Sequence, residues 1–421
     1  MNRNFYIFWS GQFVSVIGSQ GYSIAGLFFI KHVTNSTTLM GVLMIASMLP
    51  SLILGPIGGV IADRYPRKKI IVLCNLINAV SVLSLSLVFY LIPGETAIII
   101  IWLMFTSISL ASSGAFWGPA ISSAIPDIVS KDKVDRANSL NQSSGQISMF
   151  IGQGAGGFLY QVIGAPMLFL IDGLTYLFAG ISGTFVEIPK VTPEKSIIWS
   201  ELFKQLKEDL KEGMIYVWRN DGLRIIVITF AVLNFLSTPF IILLPFYVED
   251  FLNAGPEWYG FLLAALGVGT LVGYFIVGSV KLRRENRSNL MVFSLFSIAI
   301  SMGTIGFVKI ACLSLIGFFV VGIMMGIINL NMLTILQTST PSEIRGRVFG
   351  LIGTVTGALV PIGMGLTGIV ADLTHKNLTL IFSVCGGGLL FTSIFLFINR
   401  DFRNFIHCYP RPALNDSIKE A

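Results

Sequence analysis

The chain has 421 residues, of which 54% are hydrophobic and only 12% charged, with a formal net charge of +6 and a mean hydropathy of +0.79. A soluble domain carries about 25% charged residues, so this length holds a polytopic membrane protein rather than two or three soluble domains. The basic excess follows the membrane topology set out below and gives no reason to expect nucleic acid.

Hydropathy marks about twelve spans, taking roughly 20 residues as the length that crosses a hydrocarbon core. They lie near 5–30, 39–62, 70–92, 96–125, 137–162, 166–187, 223–248, 258–280, 289–308, 311–338, 347–371 and 378–399. The first is too long for a signal peptide and has no small-residue cleavage site. With both termini on one side, 25 of the 28 Lys and Arg residues fall on that side, and only Lys31, Lys309 and Lys376 on the other. The positive-inside rule makes the basic side cytoplasmic. The expected fold is all-α, with a bundle over 1–187, a linker over 188–222, a second bundle over 223–400 and a cytoplasmic tail over 401–421.

Between spans 2 and 3 lies a polar hinge, Gly59-Val60-Ile61-Ala62-Asp63-Arg64-Tyr65-Pro66-Arg67-Lys68-Lys69. Asp63 stands where span 2 meets the cytoplasm, so its carboxylate can approach a helix N-terminus, whose dipole attracts an anion by roughly 0.3–1 kcal/mol. Arg64, Arg67 and Lys68 need acids at neighbouring helix ends, and Asp127 and Asp135 are the candidates. The plainer alternative is a set of positive-inside anchors.

Span 5 carries Gly145, Gly152, Gly154, Gly156 and Gly157, and small residues let helices approach closely in lipid. Gly152-Gly154-Gly157 and Gly363-Gly365-Gly368 both spell G-x-G-x-x-G. A dinucleotide site needs a strand before that pattern and a soluble helix after it, whereas both copies lie inside spans. At an offset of 211 residues they align with each other, as do Arg136 with Arg347, Leu140 with Leu351 and Ile151 with Ile362. A duplicated half is the mark of a transporter built from two bundles, with its substrate site between them.

In the linker, Thr192-Pro193-Glu194 is a helix-start signal. Ile198, Leu202, Leu206, Leu210 and Met214 then recur every four residues against Lys204, Lys207, Glu208, Asp209, Lys211 and Glu212. This spacing predicts an amphipathic helix on the cytoplasmic membrane surface, or a plain solvated connector. Cys74, Cys312 and Cys385 fall in apolar runs and Cys408 in the tail. Without metal-ligand spacing they are expected to be reduced, the first three buried, with no metal site.

The hinge resembles the loop between spans 2 and 3 of the major facilitator superfamily, G-x-L-A-D-R-x-G-R-K, with Ile61 for the leucine and Pro66 for the second glycine. Gly278-Ser279-Val280-Lys281-Leu282-Arg283-Arg284 is its echo in the second half, without the acid. More narrowly, several stretches are similar to the macrolide-efflux and enterobactin-exporter group. These are Trp9-Ser10-Gly11-Gln12, Ser15, Gly18, Pro119-Ala120, Pro126-Asp127, Ala137-Asn138-Ser139-Leu140, Glu212-Gly213, Tyr216 and Arg345-Gly346-Arg347-Val348-Phe349. The resemblance covers essentially the whole chain.

It implies a cytoplasmic gate of Gly59, Asp63, Arg64, Arg67, Lys68, Asp127, Arg345 and Arg347, with Asp63 against the start of span 11. It also implies a central cavity lined by spans 1, 4, 7 and 10. Those spans supply Gln12, Ser19 and Tyr22, then Phe105, Ser109 and Phe116, then Asn234 and Phe240, then Asn329 and Asn331, with Gln146 from span 5. Amides, hydroxyls and rings suit a large, mostly apolar ligand. Two departures bear on coupling: Gln153 replaces the proline of the family's antiporter motif, and Ser19 stands where related exporters often carry an acid. Proton coupling is implied by the resemblance, and Asp172 in span 6 is the candidate carrier, since intramembrane acids are rare and functional; a structural role among polar neighbours is the alternative.

The expected function is secondary transport exporting a drug- or macrolide-like molecule, the protein working as a monomer in the cell membrane without a cofactor. Export of an endogenous siderophore or lipid-like metabolite is the runner-up, and a non-transporting sensor stands third. A membrane enzyme would need buried His, Asp or Ser constellations, yet His32, His375 and His407 lie in loops or the tail. There is no phosphate-cradling loop for ATP.

Overall fold

The computed structural model describes residues 2–188, 199–279, 284–341, 344–399 and 402. Among them the chain is helical throughout, with no strand. In order, the helices are α1 (Arg3–Thr34), α2 (Thr37–Arg64), α3 (Arg67–Leu91), α4 (Thr96–Ile128), α5 (Val134–Thr184), α6 (Trp199–Arg219), α7 (Asp221–Ile242) and the short α8 (Leu244–Phe246). α9 (Glu257–Ser279), α10 (Arg284–Ile305), α11 (Ala311–Ser339), α12 (Arg345–Leu373) and α13 (Leu378–Ile398) follow. α8 runs into a wider turn, Tyr247–Phe251.

The ends are set by local chemistry. Asn2 caps α1 by accepting from the Phe5 amide at 3.0 Å, and α1 stops at Asn35 in the left-handed conformation, φ 50°. Ser36 caps α2 through the Leu39 amide at 3.2 Å. Such caps satisfy amides that have no partner inside their helix.

Eleven stretches among the described residues are long and apolar enough to cross a membrane. One of them, Gly154–Thr184, includes a break. α5 has 51 residues, about 76 Å at 1.5 Å per residue, far beyond one hydrocarbon thickness of about 30 Å. Gly164, at φ 74° and ψ 173°, turns the chain in a conformation open essentially to glycine alone. Its two arms coincide with the expected spans 137–162 and 166–187, so α5 provides two of the twelve expected crossings.

The described chain forms two compact units. The first comprises Met1–Ser196, Ile242–Ala264 and Met364–Lys376; the second comprises Ile197–Ile241, Ala265–Gly363 and Asn377–Ala421. In the first, α1 and α3 pack on α5, and α2 and α3 on α4. Near the hinge, Phe5, Phe8, Ala62, Ile71, Ala120, Ile125 and Val186 form one buried apolar cluster. In the second unit α10 packs on α11 and α13. There Gly269 and Gly273 of α9 face Gly322 and Gly326 of α11, a Cβ on any of the four coming within 2.1–2.3 Å of the other backbone. This is small-residue packing of the kind that holds helices together in lipid.

The expected amphipathic helix is present as α6. Thr192-Pro193-Glu194 and Ile198 lie outside the described residues, as do the side chains of Leu202 and Leu206, while Leu210 and Met214 are exposed. The cysteine expectation needs one correction. Cys74 and Cys385 are buried, but Cys312 is exposed. An apolar run places a residue in the membrane without saying whether it faces a helix or lipid. Cys408 lies outside the described residues.

Candidate functional site

At the hinge end of the first unit, α2 ends at Arg64 and Pro66 precedes α3, a position where a missing amide costs nothing. Ala62 is buried in the apolar cluster, which fixes the direction in which the flanking residues leave the helix. Arg67 pairs with Asp127 and also donates to the Ser123 carbonyl at 2.9 Å, tying α3 to the end of α4. Lys68 donates to the Thr184 carbonyl at 2.6 Å, tying α3 to the end of α5. Asp63 is exposed and makes no hydrogen bond or ion pair among the described residues, and neither does the exposed Asp135. Nothing lies within 4 Å of a Cβ placed on Gly59.

Arg347, in the first turn of α12, pairs with Glu212 of α6. Gly213 permits the approach, since a Cβ there would lie 2.8 Å from the Arg347 carbonyl oxygen. The side chain of Arg345 lies outside the described residues, as do Val280, Lys281, Leu282 and Arg283 of the second-half echo.

Deep in the first unit is a polar network. Asp172 is fully buried. Its Oδ1 accepts from the Thr175 hydroxyl at 3.4 Å, and its Oδ2 has no hydrogen-bond partner. Gly18 of α1 passes directly alongside: a Cβ there would be 2.7 Å from Asp172 Oδ1 and 2.4 Å from Thr175 Oγ1. The next residue, Ser19, donates to the Ser15 carbonyl at 2.9 Å and stands 2.8 Å from the Tyr176 hydroxyl. Tyr22 is buried, its hydroxyl 3.0 Å from Thr106 and 2.9 Å from Ser107 of α4. Ser19, Tyr22 and Asp172 are thus brought to one place where α1, α4 and α5 meet.

The other cavity candidates are distributed. Gln12 is buried and accepts from the Trp117 ring nitrogen at 3.0 Å, its amide nitrogen having no partner. Ser109 bonds Ser81 of α3 at 2.9 Å. Phe240 is buried and stacks on Phe382 with ring centroids 4.5 Å apart. Asn234 and Asn331 donate to their own helices, to the Phe230 and Ile327 carbonyls. Phe116 is half-buried, whereas Phe105, Gln146 and Asn329 are exposed.

At the opposite end of the first unit lies a charged cluster that spacing alone did not assemble. Lys31, in the last turn of α1, is only 5% exposed and pairs with Glu249 and, at 2.8 Å, with Asp250. Its ammonium also stands 5.2 Å from the centre of the Phe246 ring. His32 faces Glu249 at 3.0 Å and the Tyr160 hydroxyl at 2.9 Å. Burial pushes the Glu249 carboxyl up, but hydrogen bonds and charge from His32 and Lys31 outweigh it and hold the group below the usual carboxylate range. Beside this cluster, Asp372 near the end of α12 meets Ser36, Thr37 and Thr38 at the start of α2. The available signal was in the topology: Lys31, Glu249 and Asp250 are charges stranded at the basic-poor ends of apolar spans.

The family model of the Major Facilitator Superfamily matches residues 8–364 and, in a second alignment, 240–405. Macrolide efflux protein A of Streptococcus pyogenes is 27% identical over 383 residues, 89% of this chain and 90% of that protein. The multidrug efflux pump Tap of Mycolicibacterium fortuitum is 26% identical over 351 residues, 81% of this chain and 82% of its own. The nucleoside transporter NupG shares the fold with a TM-score of 0.75 at 11% identity, covering 95% of this chain and 100% of that one. A bacterial homologue of the iron transporter ferroportin, in an inward-facing state, does so with a TM-score of 0.74 at 12% identity, covering 94% and 99%.

Proposed function

The chain belongs to the Major Facilitator Superfamily, and on that premise we propose that this multi-pass membrane transporter exports hydrophobic or amphipathic small molecules of the drug or macrolide kind. It does so by alternating access, as a monomer in the cell membrane with both termini cytoplasmic, residues 1–187 and 223–400 acting as paired bundles joined by α6. The observation that carries the reading is the confinement of charge. Among the described acids Asp172 alone is fully buried within the helices, while Gln12, Tyr22, Phe240 and Asn331 offer only uncharged polar groups and rings. Such walls favour an apolar ligand over a strongly charged one. The near full-length likeness to macrolide and multidrug efflux proteins supports the substrate class.

Asp63 with Arg67, Asp127 and Arg347 forms the cytoplasmic gate in this reading, a latch that two conformations use differently. Asp172 carries the coupled proton: a buried carboxyl with one vacant oxygen can take up and release a proton where substrate passes. The test is purified protein in liposomes with a fluorescent macrolide or a lipophilic dye, under an imposed pH gradient. Accumulation that collapses with the gradient is expected. Equal flux with and without the gradient removes proton coupling, and no flux of any apolar probe removes the substrate class.

A further inference from the structure

The hinge pattern Gly59-Val60-Ile61-Ala62-Asp63 recurs as Gly368-Ile369-Val370-Ala371-Asp372. Each copy places its aspartate as the penultimate residue of its helix, α2 or α12, and each buries its alanine, Ala62 and Ala371, almost completely. The second copy is engaged. Asp372 accepts from the Thr37 and Thr38 amides at 3.1 and 2.9 Å, from the Thr37 hydroxyl at 2.7 Å and from the Ser36 hydroxyl at 3.0 Å. Gly368 makes this possible: its carbonyl oxygen lies 2.7 Å from the Thr37 hydroxyl and shares that one proton with Asp372, and a Cβ on Gly368 would sit 2.6 Å from the Thr37 carbonyl oxygen. The glycine allows close approach, the alanine anchors the turn, and the aspartate caps the start of another helix. The first copy has the same parts, with Gly59 uncrowded and Asp63 exposed and unengaged.

We propose that Asp372 is the positioning residue of a second latch, on the outer side, built from the same five-residue unit as the hinge. It closes by capping α2, and Asp63 closes the cytoplasmic side by capping α12, so the two caps alternate during transport. The inference rests on the alternating-access reading above and adds to it the residue that holds the outer side shut.

The test uses the full-length protein in lipid nanodiscs, freed of native cysteines, with spin labels at Val42→Cys and Val370→Cys, both exposed positions. The distance distribution between them needs no substrate, so its outcome is separate from that of the export assay. Asp372→Asn is expected to lower the ratio of short to long distances by about fivefold, the worth of one good cap. Asp63→Asn is expected to raise the same ratio, and Asp372→Glu to restore most of the loss. Thr37→Val, which keeps shape and loses one donor, should shift the ratio in the direction of Asp372→Asn by a smaller factor, and it answers the case in which Asp372→Asn does not fold. An unchanged distribution in both Asp372→Asn and Thr37→Val, or a shift in the same direction as Asp63→Asn, overturns the proposal.

Discussion

Lys31 and Glu249, 218 residues apart in the chain, form an ion pair at the end of α1, the lysine buried and the glutamate half-buried. Removing the lysine leaves the half-buried Glu249 carboxylate only its His32 contact, which costs less than the roughly 3–5 kcal/mol of breaking a fully buried pair. Lys31→Met is therefore expected to lower the unfolding temperature in detergent by several degrees. Combining it with Glu249→Gln and Asp250→Asn should recover most of the loss. A triple variant no more stable than Lys31→Met would show that the pairing is not what the lysine contributes.

The acid sensitivity of this cluster has a definite sign. Hydrogen bonds from His32 and Lys31 outweigh burial and hold the Glu249 carboxyl low. The ionised pair is then fully present above the ordinary carboxylate pKa of about 4.3 and is lost only as pH falls through the lowered value. With Lys31, His32, Asp250 and Tyr160 around it, Glu249 should keep this end of the first unit closed at neutral and mildly acidic pH. Thermal stability followed from pH 8 to 3 should drop steeply only at the acid end, and Glu249→Gln should flatten that drop.

Arg67 and Asp127 join α3 to α4 at the hinge. The pair is partly exposed, Arg67 at 17% and Asp127 at 33%, so its worth is about 1 kcal/mol or less. Asp127→Asn should leave expression unchanged and reduce transport severalfold. The charge swap Arg67→Asp with Asp127→Arg should restore transport only in part, because the bond from Arg67 to the Ser123 carbonyl is not rebuilt.

Asp172→Asn keeps the size of the side chain and a carbonyl to accept from Thr175. It is expected to fold normally, to abolish accumulation driven by a pH gradient, and to leave substrate exchange between equal pools intact. Paired flux measurements in liposomes decide this. Full gradient-driven accumulation in Asp172→Asn would remove this carboxyl from the coupling step.

Gly55 and Gly58, three residues apart in α2, differ sharply in their surroundings. A Cβ on Gly58 would lie 1.9 Å from the Ala115 carbonyl oxygen, a backbone atom, whereas one on Gly55 meets nothing within 4 Å. Overpacking costs about 1–3 kcal/mol, while Gly to Ala in an open helical position gains up to about 1 kcal/mol. Gly58→Ala should lower the melting temperature and Gly55→Ala should hold or raise it.

Much of the fold is legible in the sequence because membrane spans announce themselves by length and apolarity. The proline-following hinge and the pairing of Arg67 with an acid at the end of span 4 are likewise local enough to anticipate. The cavity residues were harder. Span 1 is apolar nearly all round, so helical spacing groups Gln12, Ser19 and Tyr22 on a face without saying what that face meets. In the structure Gln12 holds Trp117 and Tyr22 holds Thr106 and Ser107. The meeting of Lys31 with Glu249, and of Asp372 with Thr37, joins residues more than 200 positions apart, which no periodicity encodes.

The joint at Gly164 has a mechanical corollary. Other neighbouring spans of the first unit are linked by two residues, as between α1 and α2, or by more, as at 92–95 between α3 and α4, which give each helix slack to slide along its axis. The arms of α5 are connected through one residue, with Ala165 and Leu168 beyond it both buried. An axial displacement of the arm that carries Gly152 should therefore be passed on to the arm that bears Asp172. Whatever pushes on one end of α5 is felt at the buried carboxyl.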